Sequence, residues 1–300
     1  MRFAETVGGR PFTKDPAVVR LNGRRFMYYS LPPESDGGPW RIGVAREDEA
    51  GSFVPAGRLE PCQDCERNGL CAPGAIVLDG CVHMFYQTYG NGARDAICHA
   101  VSRDGLHFER DESNPVFSPT GAWTCGRAID ADVIEFRGEL IMYFATRDPG
   151  MRVQMLGAAS APLGSGYGRG AWTQRCDESI LRPELDWEQD CIEAPAACVY
   201  GGRVYLFYGG AYNNAPQQIG CALSDDGFAF RRISAAPFLP NGAPGSWNAS
   251  ESGHPFAFED GGRYFLYYKG NCDGGRTWYI SRAEFEFRGG MPVLTGGSEN

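Results

Sequence analysis

The sequence predicts an all-β fold, a five-bladed β-propeller with four antiparallel strands per blade. Two observations predict it: a segment that recurs five times without a gap, and a turn dipeptide at one fixed place in every copy. The copies are Asp15–Tyr29, Ala72–Tyr86, Asp130–Phe144, Ala194–Tyr208 and His254–Tyr268, starting 57, 58, 64 and 60 residues apart. A period of this size marks a repeat architecture. Composition agrees: 41 glycines and 20 prolines in 300 residues is about a fifth of the chain, against a usual ~12%. With 13% aromatic residues, that balance favours short strands and many turns over long helices.

Each copy reads as strand, tight turn, strand. The turn pairs are Asn22-Gly23, Asp79-Gly80, Arg137-Gly138, Gly201-Gly202 and Gly261-Gly262. Gly, Asn and Asp tolerate the positive φ that hairpin turns require. The second strands, such as Val204-Tyr205-Leu206-Phe207-Tyr208, are continuously apolar, as expected when both faces are covered. A second half-repeat follows: Ala100–Phe108 matches Ala222–Phe230 around a shared Ser-x-Asp-Gly, with weaker echoes at 45–53 and 157–161. Two hairpins per copy make a four-stranded blade, and five blades make one propeller over residues 1–300.

The net charge is −9 and no basic run is present, which argues against nucleic acid or an anionic membrane surface as partner. No apolar stretch reaches the ~18 residues of a membrane span. The N-terminal residues lack the pattern of a signal peptide, so a cytoplasmic location is expected. Eleven cysteines then read as thiols rather than a disulfide frame. Cys62-x2-Cys65 with Cys71 is half of a zinc pattern and lacks a second pair.

In a propeller the innermost strands line the channel, so the first residue of each copy should stand in a ring at one mouth. That ring reads Asp15, Ala72, Asp130, Ala194 and His254, with Glu193 one residue before Ala194. Like charges crowded on an axis repel each other, and function is the commoner reason for tolerating them. Trp123, Trp187 and Trp247 each stand seven residues before a ring position. They can stack on sugar faces or pack between blades. Arg127 and Glu251 stand three residues before Asp130 and His254, as substrate contacts or as blade-edge ion pairs. His83 and His99 fall within strands, as packed histidines, and His107 falls in an exposed turn.

The motifs Asp15-Pro16, Ile129-Asp130, Glu193-Ala194-Pro195 and Gly253-His254, in that order and register, resemble family 43 glycoside hydrolases over essentially the whole chain. The resemblance implies an inverting glycosidase of short oligosaccharides or glycosides, with pentosides such as arabinosides or xylosides favoured. It implies Asp15 as general base, Asp130 as the residue that orients the acid and tunes its pKa, and Glu193 as general acid. It places His254 as axial support near a channel calcium held through water, with no cofactor required for the chemistry. Two departures stand out. The family's Glu-Gly-Pro reads Glu-Ala-Pro here, and Asp130-Ala131-Asp132 replaces Asp-Pro, so Asp132 rivals Asp130 from deeper in the channel. Inversion needs carboxyls roughly 6.5–9.5 Å apart. It also needs Glu193 protonated, which a nearby ionised Asp130 would promote. The alternatives are a phosphorylase, with Arg127, Arg147 and Arg152 as phosphate contacts, a fructoside-acting transferase, or a non-catalytic sugar-binding propeller.

Overall fold

The computed structural model describes residues 2–296, so the expected domain limits at 1 and 300 lie outside the described residues. Five four-stranded antiparallel sheets follow one another along the chain, each in simple up-and-down order. Their innermost strands are Lys14–Leu21, Leu70–Leu78, Ile129–Phe136, Ile192–Tyr200 and Glu251–Asp260. Each innermost strand packs against that of the next blade, and the fifth packs against the first, so the ring is closed. Among the described residues there is no α-helix, only three short 3-10 turns. No helix is long and apolar enough to cross a membrane.

The repeated dipeptides sit where the sequence places them. At Asn22-Gly23 the two φ angles are 50° and 79°, and both residues of the other four turns are likewise positive. This is the primed-turn geometry that matches strand twist. The Ser-x-Asp-Gly half-repeat also has a structural role. The Ser102 hydroxyl donates to Asp104 and accepts from the Gly105 N–H, and Ser224, Asp226 and Gly227 do the same. The glycine carbonyls then accept from Tyr28 of blade 1 (3.1 Å) and Tyr143 of blade 3 (2.8 Å), latching blade 1 to blade 2 and blade 3 to blade 4.

Two features were not expected from the sequence. The N-terminal segment closes the ring on its outer side: Phe3 exchanges both backbone hydrogen bonds with Ile280, in the third strand of blade 5. In addition, every innermost strand carries a bulge at its ring position, where two residues oppose one on the neighbouring strand. All five ring residues are left-handed there: Asp15 at φ 55°, Ala72 at 46°, Asp130 at 53°, Ala194 at 50° and His254 at 44°. Non-glycine residues pay for this conformation. A bulge bends its strand and re-aims a side chain, and here it does so five times at one level of the channel.

Candidate active site

The ring residues meet. His254 lies at the centre, with Nδ1 3.0 Å from Asp15 Oδ1, Nε2 3.2 Å from Glu193 Oε1 and Nε2 3.9 Å from Asp130 Oδ2. All four side chains are buried. They form the floor of a cavity of about 220 Å³ at one mouth, walled by Lys14, Trp40, Tyr89, Arg127, Arg147 and Tyr212. Below the ring the channel narrows to about 20 Å³ between Pro16, Pro73, Pro195 and Pro255, so the site opens at one end.

Each carboxylate has its own surroundings. Asp15 receives the ammonium of Lys269 at 3.2 Å. Burial alone would raise its carboxyl, but His254, Lys269 and Lys14 hold it well below the ordinary range. Glu193 takes amide N–H groups on both oxygens, from Gln154 on Oε2 and from Gln217 on Oε1 at 2.8 Å. Burial opposes its charge, yet the hydrogen bond and charge of His254 outweigh that and bring it down to about 2. Asp130 has its backbone N–H on Gln87 Oε1 at 2.8 Å, while its Oδ2 is buried without a partner. Burial, with the charges of Glu193 and Asp15, pushes it up to about 6. Burial works against a charged His254, but Asp15 and Asp130 raise it to about 9.

These directions correct the expectation that Glu193 holds the proton in the resting site. Repulsion from Asp130 would raise Glu193, but the hydrogen bond and charge of His254, the charge of Lys269 and the hydrogen bond from Gln217 outweigh it. The imidazole holds the proton instead, and Asp130 takes one up only as the pH falls through about 6. The register favours Asp130 over Asp132, and the structure separates the two. Asp132 lies deeper, its Oδ2 accepts the Ala197 N–H at 2.6 Å, and burial pushes it up to about 7. It ties blade 3 to blade 4 and does not wall the mouth.

Several expected substrate contacts lie elsewhere. Trp123, Trp187 and Trp247 take the packing alternative. Trp187 stacks on Tyr208 at 6.1 Å over Gly210, and Trp247 lies 5.5 Å from Tyr268 over Gly270. Trp123 covers Gly157 and borders a separate cavity of about 780 Å³ on the flank between blades 3 and 4. The glycines make room for the indoles, which therefore fill blade gaps. Glu251 is also corrected: it is fully buried behind the mouth, with Oε2 on the Asn214 N–H. Arg127 does reach the mouth, paired with Asp95 at 3.3 Å. Arg147 reaches it too, and Arg152 is exposed outside it.

The histidines outside the site are as read: His83 and His99 stack at 5.2 Å, and His107 pairs with Asp104 in an exposed turn. Cys62, Cys65 and Cys71 do not converge: Cys62 is exposed, Cys65 faces Cys98 with sulfurs 4.0 Å apart, and Cys71 is in the mouth wall.

The sequence reading missed Lys269, Gln154, Gln217, Lys14 and Trp40. Lys269 had a signal. One position past the compared segments the five copies read Ser30, Gln87, Ala145, Gly209 and Lys269. Ser30 and Gln87 accept the ring N–H of the next blade, Ala72 and Asp130. Lys269 instead reaches the side chain of the next ring residue, Asp15.

Asp130, Glu193 and His254 offer ligand atoms within 4.8 Å of one another. A calcium ion takes 6–8 oxygens at 2.3–2.6 Å. Both nitrogens of His254 already face carboxylates, and Asp130 Oδ2 is buried without a hydrogen bond. In this arrangement the residues fit an imidazolium at the centre, and neither nitrogen of His254 is free to ligate a calcium ion directly.

No protein-family model matches the sequence, and no curated protein sequence matches it. Solved structures do. A thermostable family-43 glycoside hydrolase superposes with a TM-score of 0.78 at 18% identity, covering 99% of this chain and 97% of that one. The chain has the family-43 fold. An endo-1,4-beta-xylanase from Bacteroides thetaiotaomicron shares that fold with a TM-score of 0.73 at 19% identity, over 95% of this chain and 94% of its own. An exo-1,5-alpha-L-arabinanase from a bovine ruminal metagenomic library does so with a TM-score of 0.66 at 16% identity, over 97% and 99%.

Proposed function

We propose that the protein is an inverting glycoside hydrolase of short oligosaccharides or glycosides, with pentosides such as arabinosides or xylosides as its favoured substrates. The observation that carries this reading is the convergence of Asp15, Asp130 and Glu193 on His254 at the floor of one solvent-open cavity. The xylanase and arabinanase that share the fold support the pentoside preference.

Asp15 and Glu193 contact opposite nitrogens of one imidazole ring. Two hydrogen bonds and a ring width between carboxylates support the roughly 6.5–9.5 Å spacing that leaves room for a water, against ~5 Å in a retaining enzyme. Asp15, held ionised, takes a proton from that water as its oxygen attacks the anomeric carbon. Glu193 gives a proton to the departing oxygen. In the resting site that proton belongs to His254 Nε2, 3.2 Å from Glu193 Oε1, and moves to Glu193 along this contact as the bond breaks. Asp130, partly protonated near pH 6, sets the charge beside both. In this reading His254 and Lys269 supply the positive charge of the ring and no metal is required.

The test uses a panel of aryl glycosides with Asp15→Ala and Glu193→Ala. General acid–base groups contribute roughly 10²–10⁴-fold, so each variant should lose that much on its best substrate. Proton NMR of the first-formed sugar should show the inverted anomer, and a chelator should leave the rate unchanged. Parent-like turnover by both variants would end the hydrolase reading.

A further inference from the structure

Resting on the hydrolase reading, we propose that Arg147 recognises an oxyanion carried by the leaving group, so that the enzyme favours glycosides whose departing half bears a carboxylate, as a uronic acid does. Arg147 ends the second strand of blade 3 and lines the mouth cavity. Its Nε donates to Gln154 Oε1 at 2.8 Å, its guanidinium carbon lies 5.2 Å from the centre of the Tyr212 ring, and Nη1 makes one long contact, 3.4 Å, to the Met151 carbonyl. All three partners are neutral. Among the described residues Nη2 has no partner, and no carboxylate lies within salt-bridge distance of the guanidinium. Arg110, Arg127 and Arg232, also half-buried, each meet a carboxylate, at 2.9, 3.3 and 2.7 Å, while half-buried Arg282, outside the mouth, is held like Arg147 by a hydroxyl and a ring face.

Position supplies the rest. Gln154 accepts from Arg147 and donates to Glu193, so one side chain separates the guanidinium from the general acid. The acid touches the leaving oxygen, which puts Arg147 beside the departing half of the substrate. A neutral sugar needs only hydroxyl partners there. A permanent cation, held in place by an amide and a ring face with free N–H groups turned to the cavity, matches a carboxylate through paired, charge-assisted hydrogen bonds. Free phosphate shares that chemistry, but an ionised Asp15 at the attacking side repels a phosphate nucleophile, which favours an anion on the leaving group.

The experiment compares 4-carboxyphenyl with 4-carbamoylphenyl glycosides of the preferred sugar. These aglycones are alike in shape and differ in charge. The parent's kcat/KM should favour the carboxylate by about tenfold or more, near 1.4 kcal/mol per decade. Arg147→Met should bring that ratio close to one, and Arg147→Lys should keep part of it. Both variants should also lose absolute rate, because Gln154 loses its anchor. An unchanged ratio in Arg147→Met, however slow the enzyme, overturns the proposal. So does formation of a glycosyl phosphate when inorganic phosphate is added. If no glycoside is cleaved, the hydrolase reading fails and this one is judged by saturation-transfer NMR. Binding of glucuronate over glucose that Arg147→Met abolishes supports it, and equal signals from both sugars refute it.

Discussion

The ammonium of Lys269 lies 3.2 Å from Asp15 Oδ1, joining the second strand of blade 5 to the first strand of blade 1 across the ring closure. Lys269 is completely buried. It also meets Asn213 Oδ1 at 2.6 Å, the face of Trp278 and the side chain of Lys14. A buried ammonium is tolerated when paired, and this pair keeps the proposed base ionised. Lys269→Met removes that charge and lets the Asp15 carboxyl rise. The acid limb of the kcat/KM profile should then move to higher pH, with the loss of activity larger at pH 5 than at pH 8. Breaking a buried pair costs about 3–5 kcal/mol, so the denaturant midpoint should fall as well. An acid limb that stays in place would show that His254 alone holds Asp15.

The fivefold register made the blades and the ring legible, because a repeat writes the same instruction five times and the exceptions stand out. Asp15, Asp130 and His254 are such exceptions, and Glu193 was found by its offset from Ala194. What escaped notice has no periodic signal. Phe3 closes the ring through one pair of backbone hydrogen bonds. Trp40 reaches the mouth from a loop between strands. Gln154 and Gln217 come from the third strand of blade 3 and the approach to that of blade 4, far in sequence from the glutamate they hold. The tryptophans misled for a related reason. Their shared spacing is real, but Trp187 and Trp247 use it to pack over equivalent glycines, Gly210 and Gly270, while Trp123 covers Gly157 on a different strand.

Gly253 gives a probe of how tightly Glu193 is held. A methyl group there would lie 1.8 Å from Gln217 Oε1 and 2.6 Å from its Cδ. Gln217 must swing away, and its Nε2 then leaves Glu193 Oε1. Gly253→Ala should keep the fold, since the clash is with the end of a side chain. The rate should fall, on the scale of the ~10² that a 1 Å misplacement costs. Losing a hydrogen bond to the charged form also lets the Glu193 carboxyl rise from about 2. Far-ultraviolet circular dichroism checks the fold and initial rates check the site. A fully active Gly253→Ala would mean that Gln217 does not position the acid.

His254 should write itself into the pH dependence of stability. It faces Asp15, Asp130 and Glu193, with Lys269 behind Asp15, and its folded pKa is raised from 6.5 to about 9. Below 6.5 both states hold the proton and the stabilisation is complete. Between 6.5 and about 9 the unfolded chain releases it first, so stability falls as pH rises, and above that the contribution is gone. Lys14 acts in the opposite sense in the upper part of this window. Burial and Lys269 lower it to about 8, so the unfolded chain binds the extra proton and stability rises with pH. The difference between the parent and His254→Gln separates the two, because both proteins keep Lys14. Freed of the imidazolium, Asp130 and Glu193 titrate higher in the variant. The comparison is therefore drawn between pH 8 and 9, above the range of these carboxyls. There the parent should lose urea resistance more steeply than His254→Gln. Parallel slopes would mean that the imidazole is neutral in the folded protein, and the proton assigned to Glu193 from it would have to come from elsewhere.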